Sequence, residues 1–187
     1  MNLSEIFVEN PIIAAIRSEK DLKEVVKSRA YIVFVLFGNI LNIKDICKKL
    51  KESNKMVFVH VDMIDGLKGD TQGIEFLKEN AGLDGIISTK SSNIKHAKKL
   101  NIYAIQRVFM IDSLSLKTGV KNVMDNAPSG VEVMPGVASK IINNMQIEIK
   151  KVPIIAGGLI KEKKDVIDAL SAGAVAISTT AYELWNL

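Results

Sequence analysis

With 187 residues, 48% of them hydrophobic and 25% charged, the chain carries enough apolar material for one continuous core, since chains of this length bury roughly 70% of their unfolded surface. A net charge of +4 permits an anionic partner without demanding one, and a single cysteine excludes an internal disulfide. The longest apolar run, 31–37, falls far short of the roughly 20 residues of a membrane span, so the chain reads as a soluble, cytoplasmic protein of one domain, 1–187.

From the amino end, Leu3, Ile6 and Phe7 share one side of a short helix within 3–10, and an apolar strand at 11–16 ends at Arg17. Leu22, Val25 and Val26 mark a helix, and a second strand at 31–37 precedes Asn39. Asn42 is placed to cap the next helix, whose Ile43, Ile46, Cys47 and Leu50 recur at i, i+3, i+4 and i+7, with lysines on the opposite face. Cys47 is accordingly a core residue rather than a nucleophile. A third strand at 56–61 ends with His60 and Asp62, and Ile74 and Leu77 mark a helix. The fourth strand, 84–88, opens on Asp84 at the non-catalytic end and runs into Ser88, Thr89 and Lys90. Ser91 or Ser92 can cap the helix that follows, which ends near Leu100 and on which His96 reads as solvated. Strand five, 102–107, finishes with Gln106 and Arg107, and Leu116, Val120 and Val123 mark a helix. Strand six, 130–134, carries Glu132 toward Pro135 and Gly136, and strand seven, 153–156, meets Gly157 and Gly158. Val166, Ala169 and Leu170 mark a helix before strand eight, 174–178, which ends at Ser178, Thr179 and Thr180.

Most of these runs are continuously apolar and rich in Val and Ile rather than alternating, which suits parallel strands covered on both faces. Their regular alternation with helices predicts an α/β fold, a single small (β/α)8 TIM-like barrel, with a doubly wound open sheet as the rival. The segment 182–187 allows only a reduced or missing last helix. That leaves the outer face between strands eight and one thinly covered, the candidate contact of a homodimer. The helix within 3–10 is placed to plug the barrel's amino end.

Function in such barrels gathers where strands end. The sharpest motif is Ala156-Gly157-Gly158-Leu159-Ile160 followed by Ile177-Ser178-Thr179-Thr180 at the end of the next strand. Glycines let the backbone approach a ligand closely, and successive N–H groups there can cradle a phosphate, which this fold often binds after strands seven and eight. Arg17, His60, Lys90 and Arg107 give the mouth a positive character, and His60 and Asp62, two apart, share one face of their strand. No clear metal-ligand cluster appears, and no cofactor is expected.

Several stretches are familiar: Asn10-Pro11-Ile12-Ile13-Ala14-Ala15, Leu36-Phe37-Gly38-Asn39, Val59-His60-Val61-Asp62, Gly85-Ile86-Ile87-Ser88-Thr89-Lys90, Ile105-Gln106-Arg107, Val133-Met134-Pro135-Gly136, and the closing Glu183-Leu184-Trp185-Asn186-Leu187. Together with the glycine motif they resemble the glycerol uptake operon antiterminator family over essentially the whole chain. The resemblance implies a regulator that senses glycerol 3-phosphate and acts on the leader of a glycerol-utilisation messenger RNA. By match of motif, Gly157, Gly158, Ser178 and Thr179 would hold the phosphate, with Arg17, His60, Asp62, Lys90, Arg107 and Glu132 lining the rest of the pocket. For the RNA, the lysine faces of the second and fourth helices, with Lys48, Lys49, Lys95 and Lys98, are the best candidates. A rival reading is an enzyme acting on a small sugar or polyol phosphate, since Asp62, His60, Lys90 and Glu132 can exchange protons or polarise a carbonyl. A third is a ligand-binding barrel that reaches RNA only through a protein partner.

Overall fold

In a computed structural model, which describes residues 2–187, each of the eight apolar runs is a strand. β1 (Ile12–Ile16), β2 (Ile32–Val35), β3 (Met56–His60), β4 (Gly85–Ser88), β5 (Tyr103–Phe109), β6 (Gly130–Met134), β7 (Ile154–Gly157) and β8 (Ala176–Thr179) run parallel in sequence order, and β8 pairs with β1 to close the barrel. A helix α1 (Leu3–Glu9) precedes the barrel, and α2 (Glu19–Val25), α3 (Ile43–Glu52), α4 (Thr71–Ala81), α5 (Ser91–Lys99), α6 (Ser113–Asn126), α7 (Ser139–Glu148) and α8 (Lys163–Ser171) connect the strands. No helix among the described residues is long and apolar enough to cross a membrane.

The strands read as continuously apolar because both of their faces are buried. In β1, Ile13 and Ala15 join Phe34, Phe58, Ile87, Ile105 and Ile155 inside the barrel, while Ala14 and Ile16 pack among the helices. Phe34 and Phe58 meet edge to face with centroids 5.6 Å apart. Gly85 makes room for that pair, since a Cβ there would lie 2.6 Å from the Phe58 ring. Phe7, fully buried, belongs to the same inner cluster, so α1 does plug the amino end. Asn2 and Glu5 fix the start of α1 in a reciprocal capping box.

Local expectations fail where the side chains find hydrogen-bond partners other than the helix start. Asn42 does not cap α3: its Oδ1 accepts the N–H of Asn39 at 2.7 Å, tightening the loop after β2. Nor does Ser91 or Ser92 cap α5, whose N-cap is Lys90, and Ser91 Oγ instead accepts from Asn126 at 2.8 Å. The helix α7 buries Ile142 and Met145, with Ile149 just past its end continuing the stripe. Asp84 is structural, accepting from both Lys51 Nζ and the Val57 N–H. His96 is not simply solvated, because its Nε2 lies 3.0 Å from Glu75 Oε1 and ties α5 to α4.

The largest correction concerns the seam between β8 and β1. A 3-10 turn, Tyr182–Asn186, stands where the last helix would be, yet it does not leave the seam thin. Trp185 is 1% exposed, its Nε1 donates to the Thr179 carbonyl at 2.9 Å, and the Tyr182 ring packs on it at 4.7 Å. The Tyr182 hydroxyl reaches on to Asp21 at the start of α2. One indole thus replaces a helix as cover, and the expected homodimer contact at this face loses its premise.

Trp185→Ala should therefore cost about 3–5 kcal/mol of stability in urea or guanidinium unfolding. A loss under about 1 kcal/mol would mean that the seam is held by something other than the indole.

Candidate functional site

The strand register places an ionic chain across the carboxyl end of the barrel. Arg107 of β5 stands opposite Glu132 of β6, and its Nε donates to Glu132 Oε2 at 2.6 Å. The other carboxylate oxygen, Oε1, accepts from Ser178 Oγ of β8 at 2.5 Å. All three residues are buried. Strand β7 lies between β6 and β8, and Gly157 is what lets the chain pass over it: a Cβ there would sit 2.6 Å from both Glu132 Oε1 and Ser178 Oγ. Gly157 is thus a spacer under the Glu132–Ser178 bond.

Above this chain lies a cavity lined by Arg17, Leu36, Arg107, Glu132, Met134, Gly158, Leu159, Ile160, Ser178, Thr179 and Thr180, with Ala15 at its floor. Of the ten residues first assigned to the site, the cavity wall brings together Arg17, Arg107, Glu132, Gly158, Ser178 and Thr179. Gly158 and Leu159 both adopt left-handed backbone, with φ of +80° and +63°. For leucine this is a costly conformation of the kind found at ligand loops. Among the described residues, the N–H groups of Gly158, Leu159 and Thr180 have no acceptor within the chain, so the loops offer donors to an anion. Just before α8 two further N–H groups, those of Lys161 and Glu162, are committed to Asp165 Oδ2. The Thr179 hydroxyl is likewise committed, donating to the Ile160 carbonyl at 2.8 Å and accepting from the Ala181 N–H at 3.1 Å, which pins the two phosphate-side loops together. Its neighbour Thr180 lines the cavity and was legible in the sequence as the next residue of the same motif. The apolar wall of Leu36, Met134, Leu159 and Ile160 carried no chemical signal.

Two buried polar atoms remain unpartnered near this chain, Arg107 Nη2 and His60 Nδ1. The His60 ring stands 3.9 Å from Asp62, beyond hydrogen-bond reach. Burial, joined by the positive charge of Arg107, pulls the His60 imidazole from 6.5 down to about 4 against the opposing pull of Asp62, so the ring is neutral at physiological pH.

Asp62 and Lys90 form a separate cluster on the β3–β4 side. Asp62 accepts from Ser88 Oγ at 2.8 Å and the Thr89 N–H at 3.3 Å, and Lys90 Nζ lies 3.1 Å from its other oxygen. Burial pushes the Asp62 carboxyl up, but the hydrogen bonds from Ser88, Lys90 and Thr89 outweigh it and hold the group below the usual carboxylate range. Lys90 and Asn93 also donate to the Gly69 carbonyl, at 2.9 and 3.2 Å. The cluster latches the loop after β3 onto the end of β4. Its residues line none of the cavity described above. On the outer surface, Lys48 and Lys49 are exposed on α3 and Lys95 on α5, whereas Lys98 donates to the carbonyls of Asn126 and Ala127 and so closes the end of α6.

The fold and site together define a (β/α)8 barrel with a polar cavity at the carboxyl ends of its strands, roofed by the loops after β7 and β8. The chain belongs to the glycerol-3-phosphate responsive antiterminator family, whose model matches residues 12–185. It is similar to the glycerol uptake operon antiterminator regulatory protein of Listeria monocytogenes, with 32% identity, 99% of this chain and 98% of that one covered, and a TM-score of 0.93. A glycerol uptake operon antiterminator-related protein of Thermotoga maritima is 36% identical, with 94% and 98% covered and a TM-score of 0.84. Among curated relatives, the uncharacterised protein YgcP of Escherichia coli K12 is 37% identical over 100% of this chain and 97% of its own length.

Two measurements test the ionic chain. Glu132→Ala leaves Arg107 buried beside no counter-charge and should cost about 3–5 kcal/mol in chemical unfolding, while adding Arg107→Met should restore most of it. Equal losses from the two changes, simply summed, would show the pair to be uncoupled. The second concerns pH. Because the folded His60 takes up a proton only near 4 and the unfolded one near 6.5, its contribution to stability is complete above about 6.5 and lost as pH falls toward 4. His60→Gln should flatten the pH dependence of unfolding free energy over that window, and an unchanged slope would mean that the ring titrates normally.

Proposed function

We propose that the cavity binds glycerol 3-phosphate and that the occupied protein acts on the leader messenger RNA of glycerol-utilisation operons as a cytoplasmic antiterminator, without catalysis. The observation that carries the ligand assignment is a matter of charge. Arg107 is neutralised by Glu132, and His60 is uncharged, so the inner part of the site balances to zero and favours a neutral group. What it leaves open at the cavity is one donor, Arg107 Nη2. A ligand hydroxyl can accept from it. The outer part, with Arg17 and the N–H groups of Gly158, Leu159 and Thr180, favours an anion. One anionic end and one hydroxylated end describe a polyol phosphate. The family description supports the same effector, and it and the two solved relatives support the antitermination role.

The regulatory reading is favoured over an enzyme by what surrounds the neutral end. Lys55, the buried lysine among the described residues, lies at the amino side of the barrel bonded to the Ser28 and Ala30 carbonyls, far from any bound ester. Glu132 has both oxygens committed to Arg107 and Ser178. For RNA, Lys48, Lys49 and Lys95 are exposed cations of the α3 and α5 faces, Lys48 with Glu52 as a neighbour at 3.9 Å, while Lys98 is removed from that role by its structural bonds.

Calorimetric titration should show glycerol 3-phosphate binding, with glycerol and 3-phosphoglycerate each weaker by about tenfold or more, since one lacks the anion and the other adds a second. Arg107→Met should lose about 1–3 kcal/mol of binding. Leader RNA should bind more tightly to the occupied protein, with a salt dependence that shallows when Lys48, Lys49 and Lys95 become glutamine. Consumption of the ester during the titration would replace the regulator with an enzyme, and equal affinity for 3-phosphoglycerate would refute the neutral inner subsite.

A further inference from the structure

A groove of about 620 Å³ lies on the outer wall between α6 and α7, away from the barrel mouth. It exists because α6, the 14-residue helix, is lightly seated, with Gly119, Val123 and Asn126 its buried residues. Leu116 and Val120 are half-buried and form the floor, while Met124 is 62% and Ile147 is 55% exposed at the rim. A helix of this length in a water-facing layer ordinarily turns a polar face outward. Here Leu116, Val120 and Met124 recur at i, i+4 and i+8, which makes one continuous ridge along the helix.

The charges around this ridge are polarised along it. Lys117 and Lys121 line the part nearer the helix start, and Asp125 of α6 with Glu148 of α7 lines the part nearer its end. We infer that the groove is the interface of a homodimer in which α6 packs antiparallel on α6 of a second copy about a twofold axis near Val120. A twofold is the operation that uses one patch twice, and with its axis perpendicular to the helix it reverses the helix direction. It sets Leu116 of each copy against Met124 of the other, and it carries Lys117 toward the acidic end formed by Asp125 and Glu148, with Lys121 lying close to the axis. A flexible methionine side chain entering an apolar groove, flanked by opposite charges, is the composition of a specific interface. A parallel arrangement would instead stack like charges, so the charge order selects the antiparallel one.

The test is the mass of the full chain in solution by analytical ultracentrifugation, together with a charge swap. The wild type is expected to be a dimer at about 100 µM, and Met124→Glu to weaken association by at least about tenfold. Lys117→Glu, an exposed change with no folding risk, should weaken it as well, and Lys117→Glu with Asp125→Lys should restore it. Glycerol 3-phosphate binding should be unchanged in all of these variants, which separates the interface from the ligand site. A wild type that stays monomeric overturns the inference and leaves the groove to a helix of another protein. A dimer indifferent to Met124→Glu and to Lys117→Glu overturns it too, by placing the interface elsewhere.

Discussion

The geometry of the site depends on one buried ion pair and the glycine that permits it. Arg107, Glu132 and Ser178 come from three strands and meet over a fourth, and a single methyl group at Gly157 would separate Glu132 from Ser178. A buried guanidinium without its carboxylate would be costly enough to threaten the fold, so the pair must form whenever the barrel closes. That coupling holds the strand ends β5, β6 and β8 at fixed spacing. The loop after β8 inherits the spacing because it leaves from one of those ends, and Thr179 pins the loop after β7 to it. Cavity shape is in this sense a by-product of electrostatics inside the barrel.

The same pair decides what the cavity can hold. Its neutrality makes the inner end poor at binding a second anion, while the unpartnered Arg107 Nη2 still costs free energy until something accepts from it. In the proposed function a ligand hydroxyl relieves that cost. The Asp62–Lys90 cluster plays a different part, since it fixes the loop after β3 beside the mouth without lining the cavity. Loop position and ligand chemistry are therefore controlled by different groups on opposite sides of one barrel. This separation gives a regulator two places at which occupancy could alter an outer surface.

Much of the architecture was legible from residues alone, for a physical reason. Parallel strands buried on both faces cannot alternate, and runs such as 31–37 and 56–61 carry that signature directly. The glycine motif and the polar strand ends were legible for the same reason: an apolar barrel makes each polar residue at a strand end conspicuous. What escaped was everything that depends on register between distant strands. Nothing local joins Arg107 to Glu132, 25 residues on, or sets Gly157 beneath a hydrogen bond 46 residues long. The cap at Ser91 failed similarly, since its partner Asn126 lies 35 residues away, whereas Asn42 turned back to the Asn39 N–H three residues earlier. The length of the carboxyl-terminal turn says little about what it covers. Five residues cannot make a helix layer, but one tryptophan can cover the seam.

The central claim is that one site holds an anion in the loops after β7 and β8 and a hydroxyl over the Arg107–Glu132 pair. A crystal structure with glycerol 3-phosphate bound tests it most directly. The account predicts phosphate oxygens within hydrogen-bond distance of the Gly158 and Thr180 N–H groups, and a glycerol hydroxyl accepting from Arg107 Nη2. A phosphate seated directly on Arg107, with Glu132 turned away, would contradict it, as would an ester bound on the Asp62–Lys90 side of the mouth.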